Sequence, residues 1–149
     1  MSEYQVAIDW ERESEQFTYQ EYSRDHLWTF PGGVRVSASA APDYLGNPGY
    51  VNPEEALVAA LSSCHMLTFL AVAARKQLMV DAYHDDAVGV LEKNAQGKLA
   101  ITRVTLRPKI TFSGEKRPTP EELKALHEQA HRGCFIANSV TTEVTVESR

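Results

Sequence analysis

Tyr4–Trp10 alternates apolar and polar residues, and Phe17–Phe30 does so more loosely, the period of a half-buried strand. Pro31-Gly32-Gly33 punctuates the pattern as a turn before it resumes at Val34–Ala40, so a hairpin or three-stranded meander is expected. A Pro/Gly/Asn-rich surface loop, APDYLGNPGYVNP, follows. The period then changes to that of a helix. Asn52 can cap it, Pro53 suits its first position and Glu55 completes an Asn version of the capping box. The helix can run to about Lys76 and is apolar nearly all round between Ala56 and Ala74, which predicts burial on most sides. One small domain seldom wraps such a helix alone, so a second copy of the chain is expected to cover part of it.

Tyr83–Phe112 reads as two strands joined by a turn near Asn94–Lys98. Thr119-Pro120-Glu121-Glu122 is a second capping box, opening a helix to about Arg132 with Gly133 at its end. Thr141–Glu147 alternates as a last strand. The order βββαββαβ predicts an α+β fold with antiparallel sheet. No repeat, low-complexity tract or linker interrupts it, and residues 1–149 are expected to form one domain.

Composition narrows the partners. A formal net charge of −5, with the basic residues scattered, argues against a nucleic-acid partner. The N-terminus has no basic start, apolar core or cleavage site of a signal peptide. The apolar run is broken by Ser62, Ser63, His65 and Thr68, which reads as a buried helix and not a membrane span. A cytoplasmic protein is expected, where a transient catalytic disulfide is allowed and a structural one is unusual.

The candidate chemistry rests on two cysteines. Cys64 lies inside the apolar helix, where burial alone would make it an inert core residue. It becomes a nucleophile only if a cation reaches it. His65 is adjacent in sequence, but neighbouring helical residues diverge by about 100°, and a place at an interface between copies is the preferred reading for it. Cys134 follows the end of the second helix, so the pair is either a coincidence or a redox couple. His127-Glu128-Gln129-Ala130-His131 fits the H-E-x-x-H zinc pattern. The helix is short and only 18 residues follow His131, so a half-exposed helix with solvated His and Glu is preferred.

The run VNPEEALVAALSSCHML, with Cys64 ten residues after Glu54, resembles the OsmC/Ohr superfamily, the osmotically inducible and organic hydroperoxide resistance proteins. The N-terminal meander and the second cysteine in AHRGCFIANS extend the resemblance over nearly the whole chain. The stretches YSRDHLWTF and SSCHML look like a divergent OsmC-like subgroup. The resemblance implies antiparallel sheets around a long central helix, an intertwined homodimer and a thiol peroxidase without a cofactor or metal. Cys64 would be the peroxidatic cysteine and Cys134 the resolving one. Arg24, in Ser23-Arg24-Asp25-His26, would match the active-site arginine, with Arg35 the alternative, and Glu54 would pair with it.

An organic hydroperoxide would be the substrate and a dithiol, in this family a lipoyl group among others, the reductant. Leu61, Leu67 and Phe69, with Trp28 and Tyr50, are candidates for apolar walls or for ordinary core. Along one helix, ten residues place Glu54 about 15 Å from Cys64, so a bridging arginine or a site built from two chains is required. Phe135 stands where the family often has proline, which bears on the resolving role of Cys134. The alternative reading is an OsmC-fold protein that binds a small ligand or senses redox state without peroxide turnover.

Overall fold

Asn52 starts the longest element as the sequence demands. Its Oδ1 accepts from Glu55 N–H at 2.9 Å, and its Nδ2 donates to Glu55 Oε1 at 3.0 Å. Pro53, lacking an N–H, opens helix α1 without leaving a further donor unpaired, and α1 spans Pro53–Arg75. In this computed structural model, which describes all of residues 1–149, the chain divides into two compact units, Met1–Ala56 and Leu57–Arg149.

The first unit is the expected meander. Strands β1 (Ala7–Asp9), β2 (His26–Thr29) and β3 (Arg35–Ala38) pair antiparallel in sequence order, with Ile8 opposite Trp28 and Trp28 opposite Val36. Phe30 N–H bonds Val34 C=O at 2.9 Å across the Pro-Gly-Gly turn, where Gly33 takes φ 90°. The loose alternation before His26 is not strand. Trp10, Phe17 and Tyr22 pack on one another there, with centroids 5.1 to 6.2 Å apart. The alternation recorded aromatics closing on each other and not a sheet face.

In the second unit the stretch expected to hold two strands holds four: β4 (Met79–Asp85), β5 (Val88–Lys93), β6 (Leu99–Leu106) and β7 (Pro108–Ser113). One side chain joins the two breaks. Asp85, at the end of β4, accepts from the N–H of Arg107, the residue between β6 and β7, at 2.6 Å. Pro108 then lacks the donor needed to continue a ladder and begins a new strand. The observed order is βββαββββαβ, with helix α2 (Pro120–Gly133) and β8 (Glu143–Val146) last.

β4 pairs with β7, and β5 pairs with β6 through the Asn94–Lys98 turn, all antiparallel. β8 lies parallel to β6, which requires the long crossover that α2 supplies. Two apolar clusters seat α1 on this unit. Phe69, Val72, Ala73 and Leu78 pack with Leu126 and Ala130 of α2, and Leu61 packs with Val104 and Leu106 of β6.

The helix is not buried on most sides by its own chain. Leu61, His65, Phe69, Val72 and Ala73 face inward, whereas Ala59, Ser63, Leu67 and Ala71, four residues apart, form an exposed stripe. Leu67 alone is 60% exposed.

Candidate active site

Cys64 and Cys134 come together in the second unit. Cys64, on α1, is half-buried, and both thiols are free. Cys134 is the C-cap of α2, with its N–H on His131 C=O, and is 1% exposed. The two thiols are near enough for Cys64 to act on the titration of Cys134. Burial pushes the Cys134 thiol up, the Ala137 N–H that donates to its Sγ at 3.4 Å pulls it down, and Cys64 pushes it up again. The outcome is a partly exposed Cys64 near a buried thiol whose surroundings favour its protonated form. Gly133 permits this approach of the two helices, since a Cβ there would lie 3.1 Å from Thr68 Cγ2.

Arg24 and Glu54 line a cavity of about 470 Å³ in the first unit, with Trp10, Phe17, Tyr22 and Tyr44 among its walls. The Arg24 guanidinium donates to the carbonyls of Tyr22 and Tyr19 and lies 3.6 Å from the Tyr22 ring centroid. Glu54 Oε2 is buried without a partner. The two share the cavity without the ion pair that was expected of them: the pairs within 4 Å are His84–Asp86, Arg103–Glu92 and Arg149–Asp86. Arg35 sits exposed on β3 and does not line the cavity. Of the suggested walls, Leu61 and Phe69 are core, whereas Leu67 and Tyr50 are exposed.

Two readings of the histidines are corrected. His65 is 1% exposed within its own chain, so it does not wait at an interface. His127 is 4% exposed and not solvated. They meet each other, His65 Nε2 to His127 Nδ1 at 3.0 Å, with their rings nearly parallel. Burial lowers the pKa of each to about 4, with the neighbouring His127 and His131 adding to the effect on His65 and Asp85 opposing it on both. Both imidazoles are therefore neutral near pH 7, and one donates to the other.

Spacing could have shown this. His65 falls four residues from both Leu61 and Phe69, and His127 sits on the Leu123–Leu126–Ala130 stripe of α2. No group of three or more His, Cys, Asp or Glu in the chain is placed to hold a metal ion.

An α+β fold with a long helix bearing one thiol and a second thiol after the shorter helix defines the class. The OsmC family model, described as OsmC-like protein, matches residues 46–149, and the chain belongs to this family. It is 50% identical to an OsmC-like protein of unknown function from Vibrio cholerae, with both chains covered in full and a TM-score of 0.96. The organic hydroperoxide resistance protein OhrB of Bacillus subtilis has the same fold at 19% identity, with a TM-score of 0.71 over 99% of this chain and 98% of that one. The OsmC organic hydroperoxide resistance protein of Legionella pneumophila superposes with a TM-score of 0.70 at 17% identity, covering 99% of this chain and 97% of that one. Among curated proteins, none matches the chain.

Proposed function

We propose that the chain is a cysteine-based peroxidase that reduces organic hydroperoxides to alcohols, in defence against oxidative stress. The observation that carries this reading is the asymmetric thiol pair: Cys64 partly exposed, and Cys134 buried with its pKa raised, in part by Cys64 nearby. The Cys64 thiolate attacks the distal peroxide oxygen, the O–O bond breaks, and the alkoxide takes a proton to leave as alcohol. Cys64 is then a sulfenic acid. The Cys134 sulfur displaces its hydroxyl as water, forming the Cys64–Cys134 disulfide. An external dithiol reopens that disulfide by exchange and is itself oxidised.

In this reading Arg24 stabilises the thiolate and the developing alkoxide, and Glu54 orients the guanidinium. The buried, unpartnered Glu54 Oε2 supports the second role, since it leaves an acceptor beside Arg24 in the same cavity. The protein works as a homodimer with sites that draw on both copies, which would cover the exposed Ala59–Ser63–Leu67–Ala71 stripe of α1. A reducing, cytoplasmic setting suits two free thiols.

The test is consumption of cumene hydroperoxide with a dithiol reductant by the wild type, Cys64→Ser and Cys134→Ser. Turnover is expected in the wild type and lost in Cys64→Ser, and Cys134→Ser should stall as a sulfenic acid visible by mass spectrometry. A wild type that consumes no peroxide and never shows a Cys64–Cys134 link defeats the proposal. An OsmC-fold ligand binder or redox sensor would then be the better description.

A further inference from the structure

His127 has a second nitrogen that the histidine pair leaves unused. Its Nδ1 is held by His65, so the opposite ring edge, with Nε2, turns away from α1. That Nε2 is buried and has no partner, and so is Nδ1 of His131, one turn further along α2. Buried polar atoms without partners are uncommon in native proteins, and they mark places where something else supplies the bond.

Both histidines stand in the wall of a cavity of about 810 Å³, within the range of small-molecule sites. Neither cysteine lines it. Leu123 of α2 with Val144 and Val146 of β8 makes its apolar side, extended by Pro118 and Pro120. Lys124, Arg132, Arg149 and Glu128 supply its charge. Arg149 is already engaged, with Asp86 at 3.2 Å and with the carbonyl of Arg107. Lys124 and Arg132 have no side-chain partner in the protein. Against Glu128 they leave one net positive charge.

We infer that this cavity binds an amphiphilic monocarboxylate, its alkyl chain against Leu123, Val144 and Val146 and its head between Lys124, Arg132 and the histidines. A single free positive charge matches a monoanion, and the long aliphatic wall has no use for a small inorganic anion. The histidine pair fits the head group chemically. When His65 Nε2–H donates to His127 Nδ1, the neutral His127 ring carries its only proton on Nε2, as a donor to a carboxylate oxygen. This site is separate from the thiol pair, and the inference does not rest on the peroxidase reading.

The probe is decanoate, titrated into the full-length protein below its micelle range and followed by calorimetry and by histidine ring NMR. One saturable site per chain is expected, with the resonances of His127 and His131 moving. Decanol, which has the same chain without the charge, should bind weaker by roughly tenfold or more, as should decanoate to Lys124→Gln/Arg132→Gln. Those two residues are exposed, so that variant is expected to fold even if His127→Gln does not. Cys64→Ser should bind as the wild type does, which separates this result from the fate of the peroxidase reading. The inference is overturned by no saturable binding, by equal affinity for decanol, or by undiminished binding to the double variant. It is also overturned if the shifts fall on His26, which lines the other cavity, or if decanoate binds only as a dimer dissociates, since a second copy would then fill the space.

Discussion

Acidification is expected to destabilise this protein through the His65–His127 pair, and the size of the effect follows from burial. Each imidazole has its pKa lowered from 6.5 to about 4 in the folded chain, chiefly by desolvation. The unfolded chain takes up a proton near pH 6.5, while the folded pair stays neutral until about pH 4. Over that window the unfolded state binds more protons, so stability falls as pH falls. From about pH 7 to about pH 5 the loss is roughly 2 kcal/mol for one such histidine, with a ceiling near 4 kcal/mol if both respond independently. Neither folded ring takes up a proton above about pH 4, so both contribute over this window and the higher figure is the expectation.

Urea unfolding at a fixed protein concentration measures this directly, comparing the wild type with His65→Leu/His127→Leu at both pH values. Replacing both partners leaves no orphaned polar atom at the contact. The double variant should lose about 4 kcal/mol less than the wild type between the two pH values. Equal losses in the two proteins would refute the reasoning, as would an NMR titration in which either ring protonates near pH 6.5.

Three further outcomes follow from local geometry. Iodoacetamide should label Cys64 well before Cys134, because Cys134 is 1% exposed with a raised pKa; peptide mass spectrometry over a time course reads the order. Asn52→Ala removes the acceptor for Glu55 N–H and should cost about 1 kcal/mol in chemical denaturation, with Asn52→Asp largely restoring it. Gly46→Ala would place a Cβ 1.6 Å from the Ala40 carbonyl oxygen, so the loop must move; a loss of several kcal/mol, or a chain that does not fold, is expected in thermal unfolding.

Local rules carried much of the fold. Caps and prolines at Asn52-Pro53 and Thr119-Pro120 located both helix starts, because those signals act within one turn. The Pro-Gly-Gly and Asn94–Lys98 turns were legible for the same reason. What failed was long-range. The split of Tyr83–Phe112 into four strands follows from β4 pairing with β7 and β5 with β6, where Asp85 meets Arg107, 22 residues away, and β8 lies parallel to β6 because α2 carries the chain across. Residues before His26 alternated in sequence for the sake of an aromatic cluster, which periodicity cannot tell from a strand.

The site divides the same way. The sequence by itself determined that a helical Cys64 follows an N-P-E-E cap, that a second thiol stands after the shorter helix, and that these belong with the OsmC family. Tertiary structure alone decided that Cys134 is the buried thiol of the two and that its pKa is raised, since exposure and pKa depend on what packs around a sulfur. It alone decided that His65 and His127, 62 residues apart, share one hydrogen bond in the core. Hydrophobic pattern specifies which face of a helix turns inward. Which polar atoms then meet across that interior is settled only when two faces pack.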